Sequence, residues 1–145
     1  MSDQSNPQLI ASAQLAVLSS LATAAAHRAY APYSRFFVGA AILLETGEIV
    51  TGCNVENASY RLTTWAEQTA IARAVAEFGP AIRLRAVVVA NLNHTACQPC
   101  GACRQTIAEF APPSALIVFP GPNAQPATTT LAELLPSSFT LTRTD

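Results

Sequence analysis

Cys100 and Cys103 stand three positions apart in Pro99-Cys100-Gly101-Ala102-Cys103-Arg104-Gln105, one helical turn apart at what reads as a helix start. Thiols there meet unpaired backbone amides and the positive end of a helix dipole, so both are expected to have lowered pKa values. Such a pair suits half of a metal site or a redox dithiol, because Cys-x-x-Cys beside a strand and a helix fits both. It cannot complete a zinc centre alone, since catalytic sites use three protein ligands and structural ones usually four. Cys97 extends the spacing to Cys97-x-x-Cys100-x-x-Cys103, and His94 lies in the same stretch. Each is a candidate further ligand, against the plainer reading of Cys97 as a loop thiol. Glu67 opens another predicted helix in Thr63-Thr64-Trp65-Ala66-Glu67-Gln68-Thr69-Ala70. As Thr64-x-x-Glu67 it reads as a capping box. Beside a metal-bound water it reads as the carrier of a proton in a hydrolytic step.

A second group is polar and irregular: Asn54-Val55-Glu56-Asn57-Ala58-Ser59-Tyr60. Asn54 and Glu56 alternate, so both side chains can point the same way and grip a ribose through hydrogen bonds. Turn chemistry accounts for Asn54 but not for Glu56. Phe36 and Phe37 stand at the entrance to the first predicted strand, where an aromatic ring packs in a core or stacks on a planar base. Cys53, at the end of a predicted strand, reads as a buried free thiol. His27 ends the first helix, where an imidazolium suits the dipole, and has no assigned function.

These residues need elements to position them. Gln8 to His27 is rich in Ala and Leu without Gly or Pro, which predicts a helix, with Ile10, Val17, Leu18 and Leu21 on one face. Phe37 to Leu44 and Glu48 to Gly52 read as a hairpin around Glu45-Thr46-Gly47. A helix is expected from about Thr64 to Phe78, stopped by Gly79-Pro80, with Ala70, Ile71, Ala74 and Phe78 inward. Arg85 to Ala90 and Ala115 to Phe119 are apolar runs typical of strands covered on both faces. Cys100 to Phe110 is the next predicted helix, with Pro99 at its start. Pro120 to Pro126 reads as a loop and Thr130 to Leu135 as a short last helix. Helix, hairpin, then alternating helix and strand makes a three-layer α/β/α domain with a mixed sheet.

At 145 residues the chain is one domain, residues 1–145, long enough for a sizeable core. Half of it is apolar and only 12% is charged, which suggests further surface buried between subunits. Net charge is −1 and all eight basic residues are scattered arginines, which argues against a nucleic-acid partner. Met1 to Pro7 has no basic leader pattern and no apolar run reaches spanning length, so no membrane association and a cytoplasmic location are expected. Cysteines in that compartment more often bind metal or catalyse than form disulfides.

Taken together, Tyr33-Ser34-Arg35-Phe36-Phe37-Val38-Gly39-Ala40-Ala41, the Asn54–Tyr60 loop and the Pro99–Gln105 motif resemble the small homo-oligomeric cytidine deaminases. The resemblance runs from about Tyr30 to Phe119 and returns at Glu133-Leu134-Leu135-Pro136. It implies a roughly five-stranded mixed sheet between helices. The implied activity is zinc-dependent hydrolytic deamination of cytidine or deoxycytidine, or of a cytosine nucleoside with a modified 4-amino group, in pyrimidine salvage. Glu67 would carry the proton, Asn54 and Glu56 would bind the sugar, and Phe36 would pack on the pyrimidine. Backbone groups around Ala66 and Ala58 would read the base edge, and Cys100 and Cys103 would hold Zn2+. A homotetramer is implied, with a dimer as the alternative.

One position departs sharply. Where the family carries Cys or His as its first zinc ligand, this chain has Trp65, whose indole nitrogen is a donor only. Pointing inward, the ring fills the metal corner and zinc is lost or weakly held. Pointing outward, it leaves water, Cys97 or His94 to complete the coordination. The alternative to an active deaminase is thus a zinc-poor, catalytically impaired relative that binds nucleosides.

Overall fold

The computed structural model describes residues 10–144. The first predicted helical residues, Gln8 and Leu9, the stretch Met1 to Pro7 and the terminal Asp145 lie outside them. The elements run α1 (Ser12–Ala26), β1 (Val38–Leu44), β2 (Ile49–Cys53), α2 (Ala66–Phe78), β3 (Leu84–Asn91), α3 (Gly101–Phe110), β4 (Leu116–Pro120), β5 (Pro126–Thr130) and α4 (Leu131–Leu134). The strands form one mixed sheet in the order β2-β1-β3-β4-β5, parallel only between β3 and β4.

Alternation along β1 divides the core. Val38, Ala40, Ile42 and Leu44 join Val50, Ala70, Ile71, Val87, Ile107 and Ile117 on the face covered by α2 and α3. Ala41 and Leu43 join Ala86, Val88, Leu18 and Ala22 on the face covered by α1. Two glycines set how closely the helices approach. A Cβ on Gly39 would lie 1.9 Å from the Ala22 carbonyl oxygen in α1, and one on Gly52 would lie 2.4 Å from the Ala70 nitrogen in α2. Both helices therefore lie with their backbones almost on the sheet.

The three-layer α/β/α expectation holds, and the structure corrects four details. The buried side of α1 is Leu18, Ala22, Ala25 and Ala26, whereas Val17 is 49% and Leu21 37% exposed. Small side chains win the inner face because the helix sits on Gly39. Phe78, expected inward on α2, is also exposed. Pro126, expected in a loop, and Thr130, expected in the last helix, bound an edge strand, Pro126–Thr130, carried by β-branched threonines. Its half-exposed positions lack the apolar alternation that marks a strand in sequence. Pro99 precedes the cap of α3, which is Cys100, so the proline stands outside the helix's first turn.

Candidate functional site

A cavity of about 420 Å³ opens at the end of the sheet where β1 begins, β2 and β3 finish, and α2 and α3 start. Its walls bring together Phe36, Asn54, Glu56, Trp65, Ala66, Glu67, Cys97, Cys100 and Cys103, although 67 positions separate the first from the last. Ser34, Val38, Tyr60, Thr63, Ala96 and Gln98 complete the lining.

The polar loop is held from both sides. Tyr30 N donates to the Asn54 carbonyl at 3.0 Å and Glu56 N to the Tyr30 carbonyl at 2.8 Å. Val55 and Thr64 exchange backbone hydrogen bonds of 2.9 Å each, tying the loop to the start of α2. The Asn54 side chain is only 3% exposed. Its Oδ1 accepts from Val38 N at 2.9 Å and its Nδ2 donates to the Phe36 carbonyl at 2.8 Å. Asn54 thus fixes the entrance to β1 and the backbone that carries Phe36, leaving one amide hydrogen for anything in the cavity. Asn93 reinforces the same segment: its Oδ1 accepts from Phe37 N at 3.0 Å and its Nδ2 donates to the Arg35 carbonyl at 2.9 Å. Phe36 is partly buried against the main core and also lines the cavity.

Glu56 is buried as well, and its carboxylate accepts from Tyr33 N at 2.9 Å, from Ser34 N and from the Ser34 hydroxyl. The Ser34 hydroxyl, with the two backbone amides, holds this carboxyl below the usual range against the opposing effect of burial. Glu56 is therefore an anion fixed in place on the cavity wall. Sequence reasoning missed Ser34 as its partner. The available signal was a serine in the turn after Pro32, at a position where side-chain hydrogen bonding is usual.

Glu67 does not form the capping box with Thr64. The cap of α2 is Trp65, whose N–H donates to Gln68 Oε1 at 3.4 Å. At the second helical position, one residue short of where the box requires it, Glu67 turns into the interior, 5% exposed, where Cys103 Sγ donates to its Oε2 at 3.4 Å. Burial raises the proton affinity of this carboxyl, opposed by its hydrogen bonds. It can hold a proton at a pH where a surface carboxylate would not.

Cys100 caps α3, its Sγ accepting from Cys103 N at 3.5 Å. The expectation that the helix start lowers the Cys103 pKa fails. That thiol is buried beside Glu67, and burial, then the neighbouring carboxylate, push it far up. Cys97, half-buried, is pushed up to about 11, mainly by burial and then by Glu67. Arg104 anchors the segment before α3: its Nε donates to the Pro99 carbonyl and its Nη1 to the Leu134 carbonyl, both at 2.8 Å. Cys53 is a half-buried free thiol outside the cavity lining. Ala58 is exposed and does not line it. His94 faces a different cavity, with Ser19, Val88 and Phe119.

Cys100 and Cys103 carry sulfur donors of the kind zinc takes, and Trp65, which lines the same cavity, has no lone pair to offer. Among the described residues no three His, Cys, Asp or Glu side chains are grouped so as to hold a metal ion. The side chains present supply two ligands and do not fit the three-ligand centre of catalytic zinc. No helix among the described residues is long and apolar enough to cross a membrane.

The cytidine and deoxycytidylate deaminase zinc-binding region matches residues 12–119, from α1 into β4. The cytidine deaminase of Sporosarcina psychrophila is 44% identical over 115 residues, 79% of this chain and 83% of that protein. The cytidine deaminase of Mycobacterium tuberculosis strain H37Rv is 45% identical over 120 residues, 83% of this chain and 85% of that one. A crystal structure of cytidine deaminase from Burkholderia pseudomallei superposes with a TM-score of 0.77 at 41% identity, covering 86% of this chain and 98% of the other. Sequence match and fold agree over the same elements that build the cavity, and the chain belongs to the cytidine and deoxycytidylate deaminase family.

Proposed function

We propose that the cavity binds a pyrimidine nucleoside, and that the reaction its walls are arranged for is hydrolytic deamination of cytidine or deoxycytidine to the uridine product and ammonia. The observation that carries this is the convergence on one cavity wall of a fixed anion, Glu56, an aromatic ring, Phe36, and a buried carboxyl with raised proton affinity, Glu67. A cavity of about 420 Å³ is in the range that small ligands occupy. Glu56 accepts the sugar hydroxyls, assisted by the remaining amide hydrogen of Asn54. Phe36 packs on the ring, and backbone at Ala66 meets the base edge. Glu67 takes a proton from the attacking water and gives one to the leaving amine, the work of a single group whose pKa stands above the ordinary carboxylate value. A cytosine nucleoside with a modified 4-amino group would fit the same scheme.

The family's metal is zinc, and Cys100 and Cys103 are the side chains that would face it. With Trp65 as the third neighbour the donor set is short, so none of the steps above is routed through a metal. That single observation favours a second reading for the chain as it stands: a nucleoside-binding relative with impaired turnover. Calorimetric titration with cytidine and deoxycytidine, with adenosine as the purine control, tests the binding claim. Saturable heat from the pyrimidines alone supports it, and no heat from any of them removes it.

The same reading includes self-association, as a homotetramer or, in its simpler form, a dimer. Exposed Tyr30, Tyr33, Val55, Leu62 and Tyr60, the last of which lines the cavity, and the low charge content support it. The −1 net charge and dispersed arginines speak against nucleic acid, and a small-molecule salvage role accords with a cytoplasmic location.

A further inference from the structure

We infer that this chain does not retain zinc at the Cys100–Cys103 pair, because Trp65 takes the corner of the third ligand, and that a single substitution there rebuilds the centre. The inference rests on the reading of the cavity as a nucleoside site and adds what that site lacks.

Position 65 is held rigidly. Its carbonyl accepts from Thr69 N at 2.9 Å and from the Thr69 hydroxyl at 3.1 Å, and its N–H donates to Gln68. The residue before it is paired in both directions with Val55. The backbone therefore cannot withdraw the side chain, and the indole, half-buried, lines the same cavity as Cys100, Cys103 and Glu67. An indole N–H donates and does not ligate.

The substitutes are accounted for. His94 faces another cavity. Cys97 lines this one, but its backbone is tied to Pro120 at 2.8 Å and its thiol is hydrogen-bonded with Asn91. Asn91 in turn is held by the Thr95 carbonyl at 2.8 Å and by Asn93 N at 2.9 Å. Bringing Cys97 to the pair would break this network, and in place it forms no three-member ligand group with Cys100 and Cys103. Two thiolates alone fall short of the three protein ligands that a retained catalytic zinc uses. A cysteine or histidine at position 65, on the same pinned backbone, restores the count.

The test is zinc per chain, by elemental analysis after zinc loading and dialysis, on wild type, Trp65→Cys and Trp65→His, with folding followed by circular dichroism. Cobalt loading adds a spectroscopic readout, thiolate-to-cobalt charge-transfer absorption. Wild type is expected to keep only a trace of zinc and each variant about one ion per chain, with the cobalt band appearing only in the variants. Cytidine affinity of wild type should be the same with and without a chelator. Wild type that retains about one zinc per chain overturns the inference, and loss of that zinc in Cys97→Ser would identify the side chain that had replaced the missing ligand. Two folded variants that both fail to gain zinc overturn it equally. Absence of cytidine binding would instead strike the nucleoside reading and leave the metal result standing.

Discussion

At the scale of single residues, the cavity combines two carboxylates that their surroundings drive in opposite directions. Glu56 is stabilised as an anion by the Ser34 hydroxyl and two amides, while Glu67 is pushed by burial toward holding its proton. The sign for stability follows from the first. Glu56 has its pKa lowered from 4.5, so its contribution is full above that value and is lost as pH falls through the lower folded value. Glu56→Gln should therefore lower the melting temperature at neutral pH and flatten its decline on the acid side, as thermal melts across pH will register. An unchanged acid slope would remove Glu56 from the network. Glu67→Gln in a zinc-loaded Trp65→Cys background should reduce turnover about 10²-fold or more while leaving cytidine binding largely intact. Unaltered turnover would exclude Glu67 as the proton carrier. Asn54→Ala leaves Val38 N and the Phe36 carbonyl without partners, a loss of about 1–3 kcal/mol by denaturant titration, accompanied by weaker nucleoside binding.

At the scale of elements, the helices matter chiefly for where they begin. The starts of α2 and α3 deliver Trp65, Glu67, Cys100 and Cys103 to one cavity, and the first turn of α2 rests directly on Gly52. A methyl at Gly39 or Gly52 meets backbone rather than a yielding side chain. Gly39→Ala and Gly52→Ala should each cost about 1–3 kcal/mol or more, and Gly52→Ala should also disturb the site by lifting the first turn of α2. A melting curve close to wild type for either would contradict this packing. Much of this scale was readable from sequence. The Cys-x-x-Cys helix start, the hairpin and the apolar strands announce themselves through local pattern. The inner face of α1 does not, because close approach selects alanines where a hydrophobicity pattern looks for Leu and Val. β5 escapes because an exposed edge of threonines has no apolar alternation.

At the scale of the whole molecule, the site is a product of long-range placement, and there the sequence is legible only in part. Residue types announced Cys100, Cys103, Glu67, Asn54, Glu56 and Phe36, and all six line one cavity. What spacing could not supply is partnership. The Thr64–Glu67 capping box is replaced by Cys103 as the partner of Glu67, the Asn54 amide is largely engaged with backbone, and His94 faces elsewhere. Local reading also predicted lowered thiol pKa values from the helix start, but burial and a carboxylate brought from another helix reverse this for Cys103. The direct test of the central claim is calorimetric titration of the wild-type chain with cytidine, followed by the same titration of Glu56→Ala. Saturable binding near one cytidine per chain that weakens about tenfold or more in the variant is the expected result for loss of a charged hydrogen-bond acceptor. No binding by the wild type, or equal binding by both proteins, would contradict the assignment of this cavity as a pyrimidine nucleoside site.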